Sequence, residues 1–292
     1  MQKIAVLMRT KNSDWVISQT LNALFSQKGV EFELYIVDSG STDNTLAICD
    51  DFPHQKLPMA SETYVPGPVL NDAIQMIEQS IIIMLNSDSV LLHPNSLKKL
   101  VDPLKESTEI VATVGRQLPR PDAQPWVRKD YLNAFPNTDS LPENITLSFP
   151  LSAFKKSVWV KEKFYEKSWG SEDTEWGKRI LDKNLGKIKY IPEATTMHSH
   201  NYNNIELHNR KFIEGEADYF IYKVEPNAMK ALYGYARRCI SELKFYLLNN
   251  FFLSTPKIFQ RNIYYFLGYY RGLRSAKNRD LKNIDKLAHK PY

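Results

Sequence analysis

Cysteine is almost absent: Cys49 and Cys239 are the only two in 292 residues, and they stand far apart. That excludes a disulfide framework and a thiolate zinc site, and it suits a reducing compartment. Long apolar runs are missing as well; none reaches the roughly 18 residues that mark a spanning helix. The N-terminus passes directly into the apolar stretch Ile4 to Met8, without the apolar core and small-residue cleavage site of a signal peptide, so a cytosolic location is expected. Glycine is scarce, 11 residues in all, and none is arranged as G-x-G-x-x-G or G-x-x-x-x-G-K-[ST]. The phosphate cradles of dinucleotide-binding and P-loop proteins therefore lack their fingerprint.

Apolar residues make up 43% of the chain, ample for a packed core. The charge is unevenly spread. Residues 226–292 hold 13 Lys and Arg against three acids, net +10, which leaves residues 1–225 at −5. The basic character belongs to the C-terminal region.

Apolar periodicity predicts an α/β order. KIAVLM (3–8) and FELYIV (32–37) read as strands around a helix bearing Trp15, Val16, Leu21, Leu24 and Phe25, a βαβ unit. Short helices follow at about 43–51 and 69–79, and the second feeds the strand IIIML from Ile81. EIVATV (109–114) and KIKYIP (187–192) are further strands, and SEDTEWGKRILDKN (171–184) is a helix with Ser171 as its expected N-cap. Alternation of this kind predicts a mostly parallel sheet covered on both faces. Residues 117–150, with six prolines, read as an excursion that shapes a pocket. After about residue 203 the chain reads as helical to residue 275.

Three of the strands end in polar clusters: Arg9-Thr10-Lys11-Asn12, Asp38-Ser39-Gly40-Ser41-Thr42-Asp43 and Asn86-Ser87-Asp88. Turn and cap chemistry explains any one of them. Together, at the carboxyl edge of a parallel sheet, they make a ligand site, since ligands sit where those strand ends and helix N-termini converge. Their side chains suit a nucleoside diphosphate: Asp38 accepts from base or ribose, Arg9 and Lys11 offset phosphate charge, and a carboxylate at a strand end such as Asp88 suits a divalent cation.

The segments VLMRTKNSDWVISQTLNALFSQ, YIVDSGSTDNTLAI, GPVLNDAI, IMLNSDSV, SEDTEWGKRI and MHSHNY, in that order, resemble the family 2 glycosyltransferases. That resemblance spans residues 3–215 and implies the GT-A fold, a Rossmann-like mixed sheet flanked by helices. GRQLPRPDAQPW, SAFKKSVW, EDTEW and HSHNY are most similar to the bacterial rhamnosyltransferase-like branch that builds surface polysaccharides. By residue, the resemblance implies Arg9, Thr10 and Asp38 at the nucleotide, and Asn71 on the nucleotide-sugar side. The DXD motif falls on Asn86-Ser87-Asp88, with Asp88 as ligand of Mg2+ or Mn2+ and Asn86 replacing the first acid. Asp173 matches the catalytic base. His198 is implied as a second metal ligand, although His198 and His200 should face opposite sides if the strand continues. Glu172 and Trp176 are candidates for the acceptor side, Trp176 with a core role as its alternative, and Arg210 for the diphosphate. The helix N-terminus should favour ionised Asp173. The processive QxxRW motif is missing after Asp173, which implies transfer of one sugar at a time.

The expected organisation is a catalytic domain at 1–215 and a C-terminal helical extension at 216–292. The expected activity is inverting transfer of one sugar, with rhamnose as the first choice, from a dTDP- or UDP-sugar to a polyprenyl-linked or growing polysaccharide. A nucleotidyltransferase and a degenerate nucleotide-sugar-binding protein are the alternatives. Basic and aromatic residues interleave through 226–275, which suggests a peripheral membrane surface on the inner face of the cytoplasmic membrane. A hairpin packed on the catalytic domain or a homodimer contact is the competing use, and no nucleic-acid-binding signature accompanies the charge.

Overall fold

The computed structural model describes residues 3–59, 64–140, 142, 146–166 and 170–281. In chain order the elements are β1 (Ile4–Thr10), α1 (Ile17–Phe25), β2 (Phe32–Asp38), α2 (Thr45–Asp50), β3 (Gln55–Leu57), α3 (Pro66–Met76), β4 (Ile81–Asn86) and β5 (Val90–Leu91). Then come α4 (Ser96–Glu106), β6 (Ile110–Leu118), α5 (Pro125–Ala134), β7 (Leu151–Lys155), α6 (Lys156–Lys161), α7 (Glu172–Asp182) and β8 (Lys187–Met197). Three long helices close the described chain: α8 (Asn204–Tyr222), α9 (Ala228–Leu248) and α10 (Lys257–Leu281).

The strands form one sheet in the order β3-β2-β1-β4-β7-β6-β8-β5. β3, β2, β1 and β4 are mutually parallel, as their helical crossovers require. The sheet is less parallel than expected from alternation, because β7 runs antiparallel to both β4 and β6, and β5 antiparallel to β8. β7 is reached from the proline-rich excursion, with no return crossover to make it parallel. That excursion also holds α5, which the density of prolines conceals.

Alternation explains the unbroken apolar strands. Ala5, Leu7, Ile82 and Met84 join one core with Phe154, Trp159 and Trp176, while Ile4, Val6, Met8, Ile81, Ile83 and Leu85 join the other with α1 and α4. Successive side chains point to opposite faces, so a strand buried on both must be apolar at every position.

The described residues divide into two compact units, the second comprising Asp122–Asp130, Gly170, Ser171 and residues 200–281. α8 belongs to the second unit. Asn203 starts that helix with a capping box, its side chain accepting from the Ile205 and Glu206 N–H groups while Glu206 reaches back to the Asn203 N–H. α8 then packs closely along α10. A Cβ on Gly272 would lie 2.1 Å from the Phe212 carbonyl oxygen, and one on Gly215 2.3 Å from that of Tyr269, so glycine is what lets the two backbones approach. Both cysteines are free and buried. No helix among the described residues is long and apolar enough to cross a membrane.

Candidate active site

The parallel register of β1, β2 and β4 sets Thr10 beside Asp38 and Arg9 beside Asn86, so the polar strand ends meet at one edge. Side chains join them. Thr10 Oγ1 donates to Asp38 Oδ1 at 3.0 Å, Ser13 and Ser87 share a hydrogen bond of 2.7 Å, and Asn12 Oδ1 accepts the Thr42 N–H at 2.8 Å. Asp38 also accepts from the Gly40 and Ser41 N–H groups and the Ser41 hydroxyl. Burial pulls its pKa upward, but the bonds from Ser41, Gly40 and Thr10 outweigh it and hold the carboxyl below its usual range.

Arg9 reaches from the end of β1 to the start of α7. Its Nη1 donates to Glu172 Oε1 at 2.6 Å and to Tyr64 Oη at 3.0 Å, and its guanidinium lies 5.8 Å from the centre of the Phe149 ring. Burial works against the Arg9 charge, yet Tyr64 and Glu172 raise its pKa above the usual value, so it stays cationic. This buried pair ties the nucleotide-type edge to the acidic helix.

Asp173, next to Glu172, is held differently. Its Oδ2 accepts the Phe149 N–H at 3.1 Å and its Oδ1 the Thr174 N–H at 2.8 Å. Burial raises its pKa most and the neighbouring Glu172 charge adds to this; together they outweigh the two N–H donors and Arg9, and the pKa is pushed up to about 6. The expectation that the helix N-terminus would keep Asp173 readily ionised is thus corrected: desolvation and a like charge prevail. Ser171 is not an N-cap of the usual kind, since its φ of 58° is left-handed where an N-cap is extended.

The metal candidates come together through the far edge of the sheet. Val90 pairs with Met197, which brings Asp88 and His198 side by side, with Nε2 to Oδ2 at 3.6 Å. Gln117 Oε1 lies 3.0 Å from His198 Nδ1, and because that oxygen only accepts, Nδ1 carries the proton. Tyr131 Oη stands 3.2 Å from the same nitrogen. The ring is therefore oriented with Nε2 toward Asp88, the arrangement by which a second-shell group prepares an imidazole for a cation. β8 ends at Met197, so the expected strand alternation does not extend to His200.

Four further expected site residues make these contacts. Asn71 is 4% exposed; its amide donates to the Phe164 carbonyl and accepts from the Phe164 N–H and the Trp159 indole, which makes it a core fastener. Trp176 is fully buried, packed on Phe154 and Phe164, with its indole N–H on the Glu162 carbonyl, and it offers no face to an acceptor. Glu172 is the buried partner of Arg9, at 2.6 Å. Arg210 lies on α8 in the second unit, its Nε 2.9 Å from Glu214. Sequence reasoning missed Gln117, Tyr131 and Tyr64. None of them carried a distinctive signal; Gln117 stands in β6 beside Arg116 and after Thr113, polar residues like itself.

The profile described as Glycosyl transferase family 2 matches residues 5–158, more than half the chain. The chain is a family 2 glycosyltransferase. Relatives of this glycosyltransferase include the O-antigen chain rhamnosyltransferase RfbN of Salmonella typhimurium, 27% identical over 73% of this chain and 71% of its own length. WbaN of Salmonella anatum, of the same description, is 26% identical over 68% and 66%. Among solved structures, the mannosyltransferase PcManGT from Pyrobaculum calidifontis, in complex with GDP-Man and Mn2+, superposes with a TM-score of 0.63 at 14% identity, over 93% of this chain and 87% of that one. That likeness is one of fold. This glycosyltransferase has the GT-A fold with C-terminal helices, as its motifs implied.

Proposed function

We propose that this glycosyltransferase inverts the anomeric carbon of a nucleotide diphosphate sugar, with Asp173 as general base. The observation that carries the reading is the Asp173 carboxylate: seated by two backbone N–H groups, beside a buried Arg9–Glu172 pair, with a pKa near 6 that suits a base working at neutral pH. The acceptor hydroxyl gives its proton to Asp173 as its oxygen bonds to the anomeric carbon. The bond from that carbon to the diphosphate breaks on the opposite face, and the nucleoside diphosphate leaves with the electron pair.

Asp38 and Thr10 are assigned to the base and ribose, and Asn86 and Ser87 to the neighbouring sugar-phosphate side. Asp88 and His198 fit a divalent cation, because a carboxylate oxygen and an oriented imidazole nitrogen face each other across 3.6 Å. When bound there, the ion supplies positive charge to the departing diphosphate. An imidazole in the donor set favours Mn2+ over Mg2+, which prefers oxygen ligands and water, and the fold relative PcManGT was solved with Mn2+. The O-antigen chain rhamnosyltransferase relatives support rhamnose as the sugar and a growing glycan as the acceptor; to these we add a dTDP or UDP donor and a polyprenyl carrier as part of the same proposal. Such a carrier would place the enzyme at the inner face of the cytoplasmic membrane.

A thermal-shift screen of nucleotide sugars with and without manganese identifies the donor, since a ligand stabilises the folded state according to occupancy. Incubating that donor with lipid-linked glycan should then release nucleoside diphosphate. Release of inorganic diphosphate would instead make the chain a nucleotidyltransferase and overturn the reading.

A further inference from the structure

Helix α9 is amphipathic in the reverse sense. Its inner face buries charge: Glu242 is 0% exposed, paired with Arg238 of its own helix and Arg261 of α10, while Asn262 donates to it at 3.1 Å. Asp130 closes the group with two bonds to Arg238. The outer face is apolar. Met229, Leu232, Tyr233, Ile240 and Leu247 are all exposed, and at about 100° per residue they fall within one arc of about 100°. Lys230, Arg237 and Lys244 follow one another at seven-residue intervals along one edge of that arc, and all three are exposed. The turn between α9 and α10 continues the pattern, with Phe252 exposed and Leu253 97% exposed. Within α9 the only acid is Glu242, which is buried, so no exposed acid of α9 lies beside Lys230, Arg237 and Lys244; Lys277 and Arg279 of α10, by contrast, pair with Glu225 and Glu216.

We propose that this face, the outer side of α9 with the Phe252–Leu253 turn, docks on the surface of a bilayer containing anionic phospholipid. The chemistry selects that partner. Aliphatic side chains need hydrocarbon to leave water, and a row of cations beside them needs negative headgroups at the same depth. A nucleic acid would satisfy the cations but would leave Met229, Ile240 and Leu253 against phosphate and sugar. The helix lies in the interface plane, because α9 is not apolar enough to cross. The inference rests on the proposed function only in giving the docking a purpose, delivery of a lipid-borne acceptor; the surface itself is argued from α9 and α10.

The test uses the full chain in sedimentation with vesicles of phosphatidylglycerol and phosphatidylcholine, against pure phosphatidylcholine. Wild type should bind the anionic vesicles, less so as salt rises. The triple variant Lys230→Gln, Arg237→Gln, Lys244→Gln should bind about 100-fold more weakly, at roughly 1 kcal/mol per cation near the surface. Ile240→Glu with Leu253→Glu should weaken binding at least as much through lost apolar burial. All these positions are exposed, so circular dichroism should be unchanged, and nucleoside diphosphate binding in the same samples should persist. Retained nucleotide binding separates a failed docking surface from a failed active-site reading. The proposal is overturned if wild type ignores anionic vesicles. Self-association abolished by Ile240→Glu, or RNA binding that persists at salt where vesicles are released, would equally reject it by giving the face another occupant.

Discussion

Replacing Asp173 by Asn should remove the base and, at neutral pH, leave the folded chain more stable than wild type. The carboxyl titrates near 6 in the folded protein against its ordinary 3.8. As pH rises between these values, the unfolded chain has released this proton while the folded chain still holds it, so stability falls with pH across that window. Below about pH 4 both states are protonated and nothing is lost; above about pH 6 both are ionised and the whole penalty applies. The displacement is worth about 3 kcal/mol at 1.36 kcal/mol per pKa unit, reduced to about 2 kcal/mol because Asp173 keeps some exposure to screening solvent. The Asn amide carries one acceptor oxygen, so the Phe149 or Thr174 N–H loses its partner, at about 1 kcal/mol independent of pH. The signature is therefore the change with pH: the stability difference, variant minus wild type, should rise by about 2 kcal/mol between about pH 4 and 7.5. Urea unfolding followed by tryptophan fluorescence reads it, since Trp159 and Trp176 lie in the core against which α7 packs. Donor affinity should survive while transfer is abolished. A stability difference that is flat with pH, or wild-type turnover in the variant, would refute the environment and role assigned to this carboxylate.

Other perturbations test its neighbours. Glu172→Gln removes the charge that helps raise Asp173, so the acidic limb of the kcat/KM profile should move to lower pH; an unmoved limb argues against the coupling. Arg9→Met strands the Glu172 carboxylate without its cation, at about 3–5 kcal/mol for a broken buried pair, and adding Glu172→Gln should recover much of that in thermal melts. Asp88→Asn and His198→Ala should each abolish stabilisation by manganese. Gln117→Leu removes the closer of the two contacts to His198 Nδ1 and should weaken manganese binding about 10- to 100-fold in calorimetric titration with nucleoside diphosphate present, whereas unchanged affinity would deny Gln117 its orienting role.

Much of the architecture was legible because it is local. The alternating strands and helices, the double-sided burial of Ile81–Leu85 and the polar ends of β1, β2 and β4 all follow from period and composition, and the ordered motifs carried the family. β7 was invisible, since five residues after a proline-rich excursion lack the context that marks a strand. Trp176 and Asn71 look the same in sequence whether they line a site or fasten a core, and only their packing assigns them to the core.

By itself the sequence determined the layered α/β scaffold, the strand ends where ligands gather and the basic C-terminal region, because each depends on residues close in the chain. Tertiary structure alone decided that Arg9 meets Glu172 across 163 positions, that β5 sets Asp88 beside His198, that Asp173 titrates near 6, and that α9 turns Arg238 and Glu242 inward and its aliphatic side chains out. Each of these depends on which distant groups share a low-dielectric interior, and sequence periodicity carries no record of that.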